Sequence, residues 1–117
     1  MKVMVVGAGQ MGLGIAQVLA DAGHKVLVNN LDHTSPEVGI KKIKERLTLA
    51  VAKGKKTSED VKVIMGNLKA SRSLKDAAKC DMIFEALAEN AELKGSVFAQ
   101  LDRICEENCI FATNTSS

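Results

Sequence analysis

The stretch Val3-Met4-Val5-Val6-Gly7-Ala8-Gly9-Gln10-Met11-Gly12-Leu13-Gly14-Ile15-Ala16 constrains this chain more than any other. Lys2–Val6 is a β-branched and apolar run, the pattern of a strand covered on both faces. Gly7 lets the chain leave that strand in a tight turn. Gly9 offers no Cβ to an approaching phosphate, and Gly12 lets the following helix sit close to the strand. The helix then begins with unpaired N–H groups and its positive dipole end at the turn, so an anion is held there without a cationic side chain. Met11, Ile15, Val18, Leu19 and Ala22 recur at helical spacing and are expected to form the face that packs on the sheet. Three glycines at this spacing are a weak signal alone. Here they follow a strand, open an amphipathic helix and precede a second strand, Lys25–Asn29, which is the context that a dinucleotide-binding turn requires.

A length of 117 residues sets the expectation of one domain. A hydrophobic fraction of 46% suits one globular core, and a net charge of +2 with lysines and arginines scattered among acids argues against nucleic acid as a partner. The densest basic cluster, Lys53-Gly54-Lys55-Lys56, falls at a helix end and reads as a solvated cap. No apolar run reaches membrane-spanning length, and the apolar start runs into a glycine turn, unlike a signal peptide. Cys80, Cys105 and Cys109 do not match zinc spacing, so we expect reduced structural thiols in a cytoplasmic protein. His24 and His33 lie near strand 2 without a partner pattern and read as ordinary surface histidines.

Beyond strand 2, Ser35-Pro36-Glu37 reads as N-cap, first helical residue and favourable acid. Ile40, Ile43, Leu47, Ala50 and Val51 give a helical stripe that ends before Gly54. Thr57-Ser58-Glu59-Asp60 resembles a capping box with Asp in place of Glu, opening a short helix to Gly66. Asn67–Ser71 is a weak strand, Ser73–Lys79 a short helix and Asp81–Ala86 a strong strand. Asn90–Glu107 is a long helix with Leu93, Val97, Leu101, Ile104 and Cys105 inward, and Cys109–Thr113 is a last strand. Nothing in the sequence explains Gly95 within that helix. Alternating strands and helices predict an α/β fold with a doubly wound parallel sheet, its five strands in the order 3-2-1-4-5.

In such a sheet a ligand sits beyond the carboxyl ends of the strands, where strand order reverses. The glycine turn, Ala86–Glu89 and Asn114–Ser117 meet that condition, with Asn30–Asp32 nearby. The segments G-A-G-Q-M-G-L-G-I-A, E-A-L-A-E-N with Lys94 following, and T-N-T-S-S together resemble the 3-hydroxyacyl-CoA dehydrogenase family, over essentially the whole chain. The resemblance implies a Rossmann domain that binds NAD, here cut after strand 5, with the rest of the cofactor domain and a helical domain beyond it. It implies that Gly7, Gly9, Gln10, Met11 and Gly12 hold the cofactor at the turn. Ala86, after strand 4, is expected to line the cofactor site; the resemblance implies that Glu89, Lys94 and Asn114 serve the nicotinamide half and that Ser116 touches the substrate's 3-oxygen.

The family's catalytic His, its partner Glu and a second substrate-binding Asn have no match in this chain. One departure concerns the adenosine ribose: the family usually has Asp where this chain has Asn30. Asn30 accepts one hydrogen bond but carries no charge, and Asp32 stands two residues on as a substitute. With no Arg in that loop, a switch to NADP is not indicated.

The resemblance implies hydride transfer between NAD(H) and 3-hydroxyacyl/3-oxoacyl-CoA in fatty acid or butyrate metabolism, with an acyl-CoA as the substrate partner. The alternatives are the cofactor domain of a related 3-hydroxy acid dehydrogenase of the gulonate type, and a non-catalytic NAD(H)-binding module. The 117-residue chain alone is expected to be inactive, because it lacks a matched general base. It is also expected to self-associate through strand 5, an edge without Lys or Pro.

Overall fold

The computed structural model describes residues 1–7, 10–29, 36–86, 91–105 and 107–113, with the side chains of 10, 91–94 and 113 outside that description. Five parallel strands, β1 (Lys2–Val6), β2 (Lys25–Asn29), β3 (Leu68–Ser71), β4 (Met82–Glu85) and β5 (Ile110–Thr113), form one sheet in the order β3-β2-β1-β4-β5. The expected order is observed, and the change of direction falls between β1 and β4. Helices α1 (Gln10–Asp21), α2 (Pro36–Ala52), α3 (Ser58–Gly66) and α4 (Ala91–Ile104) connect the strands, with a short 3₁₀ helix at Leu74–Lys79. Among the described residues no helix is long and apolar enough to cross a membrane.

The sheet separates two cores. On one face Val5, Val26, Val28 and Leu68 pack under α1, α2 and α3 through Leu13, Ala16, Ala20, Ile43, Leu47 and Ile64. On the other face Met4, Val6 and Ile83 pack under α4 and the 3₁₀ helix through Val97, Leu101 and Ala77. Because β1 is central, all of Val3–Val6 is fully buried, which explains its unbroken apolar run. The capping box forms as expected. Thr57 Oγ1 accepts from the Asp60 N–H at 3.1 Å, and Asp60 Oδ2 accepts from the Thr57 N–H at 3.0 Å.

The inner face of α1 differs from the expectation. Met11 and Val18 are 59% and 68% exposed, and Ala22 is also exposed. Gly12, Leu13, Ala16 and Ala20 face the sheet instead, with Ile15 and Leu19 flanking them half-buried. Hydropathy weights favour Met and Val, but the helix lies so close to β1 that small residues must line the contact. Strand and helix ends shift slightly: β4 loses Asp81 and Ala86, and Cys105 falls just past α4.

Candidate cofactor site

The site begins where β1 ends. Gly7 adopts φ 112°, a conformation that L side chains rarely take. Its N–H donates to the Asn29 carbonyl at 2.8 Å, fixing the turn to β2. On the other side the Ala86 N–H donates to the Val6 carbonyl at 2.9 Å, fixing the exit of β4. Helix α1 then starts at Gln10 and passes directly over the turn. A Cβ placed on Gly12 would lie 2.0 Å from the Gly7 carbonyl oxygen and 3.4 Å from Ala86 Cβ. Gly7, Gly12 and Ala86 thus meet at one point, the gap between the oppositely wound halves of the sheet. By contrast, a Cβ on Gly14 or Gly95 would meet nothing within 4 Å.

The carboxyl-terminal row of the sheet, on the α4 side, has its own chemistry. In register across the strands it reads Ser71, Asn29, Val6, Glu85, Thr113. Ser71, Asn29 and Glu85 are all at least 98% buried, and Glu85 is engaged in an interaction of its own. Asn29 Nδ2 donates to the Ser71 carbonyl at 3.2 Å and to Ser71 Oγ at 3.4 Å. Ser71 Oγ lies 2.8 Å from Asp76 Oδ2 and donates to it. Since a carbonyl oxygen can only accept, the Asn29 amide has one consistent orientation. That orientation leaves Asn29 Oδ1 buried without a hydrogen-bond partner. From sequence alone, Asn29 and Glu85 are ordinary strand residues. The available signal was a polar residue at an inward position of an otherwise apolar strand.

Of the residues expected at the site, Gly7, Gly12 and Ala86 are brought together. Met11 projects outward from the first turn of α1 and is not part of its packing face. Gln10 and Lys94 lie in α1 and α4, with their side chains outside the described set. Gly9, Asn30, Glu89, Asn114 and Ser116 lie outside the described residues, as do Asp32 and His33. His24 precedes β2, at the opposite end of the sheet from the glycine turn, and is half-buried.

The three thiols are also distant from the turn. They are free and gather around the amino-terminal ends of β4 and β5. Burial pushes the Cys80 thiol up to about 11. Burial and a hydrogen bond with Cys109 push Cys105 up to about 12. Among the described residues no group of three His, Cys, Asp or Glu is placed to hold a metal.

The glycine turn and the start of α1 fit a phosphate-bearing ligand. Comparisons with known proteins agree. The family model described as 3-hydroxyacyl-CoA dehydrogenase, NAD binding domain, matches residues 2–117. A probable 3-hydroxybutyryl-CoA dehydrogenase of Bacillus subtilis (strain 168) is 43% identical over 116 residues, covering 99% of this chain and 40% of that protein. A glyoxysomal fatty acid beta-oxidation multifunctional protein MFP-a of Brassica napus is 37% identical, with 16% of its length covered. The crystal structure of (S)-3-hydroxybutyryl-CoA dehydrogenase PaaH1 from Ralstonia eutropha superposes with a TM-score of 0.93 at 36% identity, over 99% of this chain and 41% of that one. The chain therefore spans between 16% and 41% of the length of these relatives. The match along the whole chain, the strand order and the packed glycine turn lead to one assignment: this chain belongs to the family of NAD-binding domains of 3-hydroxyacyl-CoA dehydrogenases.

Proposed function

We propose that the chain holds NAD(H) across the carboxyl ends of β1, β2, β4 and β5, as the cofactor-binding part of an enzyme acting on 3-hydroxyacyl-CoA or 3-oxoacyl-CoA. The observation that carries this reading is the close packing of Gly12 against the Gly7 carbonyl and Ala86, which sets the first turn of α1, with its unpaired N–H groups, at the carboxyl end of β1. When bound, NAD supplies the hydride chemistry. The chain's own part is placement. Gly7, Gly9, Gly12 and the first turn of α1, with Gln10 and Met11, hold the phosphates. Asn30 accepts from the adenosine ribose. Glu89, Lys94 and Asn114 flank the nicotinamide, and the Ser116 hydroxyl meets the substrate's 3-oxygen. The roles at 30, 89, 94, 114 and 116 rest on the family resemblance.

An acyl-CoA substrate and a cytoplasmic setting go with this reading. The chain carries no histidine at a matched catalytic position, and His24 sits at the wrong end of the sheet to serve as base. Its turnover of acetoacetyl-CoA is therefore expected to be nil. We also infer that the chain self-associates through β5, an edge strand whose Ile110 and Phe111 are 55% and 40% exposed. Light scattering across a concentration series tests this, and a strict monomer overturns it.

Titration with NADH, followed by nucleotide fluorescence, tests the cofactor reading. Saturable binding stronger than that of NADPH is expected. Asn30→Asp should tighten NADH about tenfold to a hundredfold, by restoring a charged acceptor for the ribose, while leaving NADPH no tighter. A folded chain that does not bind NADH overturns the proposal.

A further inference from the structure

We propose that Asn29 Oδ1 accepts a hydrogen bond from the 6-amino group of the adenine of bound NAD(H), which makes Asn29 a base-specificity residue. The inference rests on the cofactor reading above. Its starting point is the orphaned Oδ1, a polar atom with no partner on a residue only 2% exposed. Leaving such an acceptor without a protein donor is costly, and native folds rarely do so without a reason.

The direction of the surrounding bonds is fixed. The Asp76 carboxylate can only accept, so Ser71 Oγ donates to it, and Ser71 Oγ and the Ser71 carbonyl take their hydrogens from Asn29 Nδ2. The chain of donors therefore ends at Oδ1, which calls for a donor from outside it.

Position narrows the donor. The pyrophosphate belongs at the glycine turn between β1 and α1. A dinucleotide that runs outward from there reaches ribose first and base second. Asn29 lies on β2, one strand spacing, or about 4.8 Å, from β1, and its Nδ2 is turned toward β3. Adenosine offers only three donating groups: the two ribose hydroxyls and the 6-amino group. Its ring nitrogens accept. With the hydroxyls assigned to the Asn30 position in the proposed site, the 6-amino group is the donor left for Oδ1.

The test compares NADH with reduced nicotinamide hypoxanthine dinucleotide, in which a carbonyl replaces the amino group. The chain itself should bind NADH about tenfold tighter or more, because the analogue sets one acceptor against another. Asn29→Leu, checked for native circular dichroism, should weaken NADH and bring the two affinities together. Asn29→Asp, which keeps an acceptor, should preserve the preference. Equal affinities in the unmodified chain, or an unchanged preference in Asn29→Leu, overturn the inference while the cofactor reading stands. Binding of neither nucleotide by the folded chain overturns the cofactor reading, and the inference falls with it.

Discussion

The two faces of the sheet are equally well sealed along most of their length but end differently. On the α1 side the rows stay apolar to the carboxyl edge, finishing at Val28, Val5 and Phe84. On the α4 side, Leu27, Met4 and Ile83 give way within one row to Ser71, Asn29 and Glu85, which are just as buried. Burial alone thus does not separate core from site. What separates them is which buried atoms have partners, and where along the strands polarity begins. The last row of the α4 face holds a buried acceptor, Asn29 Oδ1, that packing does not explain.

Gly12→Ala should have the largest effect on this arrangement. The new Cβ would meet backbone at 2.0 Å, so either α1 or the turn must move. We expect a loss of about 3 kcal/mol or more in urea unfolding, together with loss of NADH binding. Gly14→Ala, two residues on, enters open space and should instead stabilise α1 by about 0.5–1 kcal/mol. Comparable losses from the two variants would show that the close contact is not what the glycine is for.

A pair of swaps between the faces comes next. Val28→Asn places an amide in the apolar face, where Val28 is fully buried, and should cost about 2–4 kcal/mol. Asn29→Leu makes the opposite change one residue later. It removes two long hydrogen bonds but also the orphaned acceptor, so it should cost no more than about 1 kcal/mol. If Asn29→Leu proves the more damaging of the two, the last row is structural and the contrast between the faces fails.

The smallest effect concerns the α1 side alone. Hydrogen bonds from the Thr57 backbone and hydroxyl hold the exposed Asp60 carboxyl below its ordinary value of 3.8. A depressed carboxylate stabilises the fold above the unfolded value and loses that contribution as pH falls through the folded one. Amide protection in α3, taken relative to the intrinsic exchange rate at each pH, should therefore fall as pH drops below about 4, while α4 shows no matching step. Equal behaviour of the two helices would remove the capping box as its cause.

The strand order was legible because β1 is central and reads as an unbroken apolar run, while the connecting helices carry period and caps. The glycine turn was legible because its residues have few other uses at that spacing. The inner face of α1 was not. Met11 and Val18 outweigh Gly12 and Ala16 on any hydropathy scale, and only the distance between helix and strand reverses that ranking. Asn29 and Glu85 were missed for a related reason. Inside a strand pattern a single polar residue looks like an interruption, and its meaning depends on its cross-strand neighbours, such as Ser71 beside Asn29, which are remote in sequence.

The central place of β1 also bears on how the molecule is made. Its first partner, β2, follows within 23 positions (Lys2 to Lys25), whereas its second, β4, waits until Met82. The buried residues beneath α1, α2 and α3 all fall between Val5 and Leu68. A ribosome emitting this chain therefore releases a three-stranded unit able to close one face by itself, while Met4, Val6 and Leu27 on the other face stay wet until β4 and α4 emerge. While residues 71 to 104 are being made, the half-built sheet carries an apolar flank and an open β1 edge, the kind of surface that shielding of nascent chains covers.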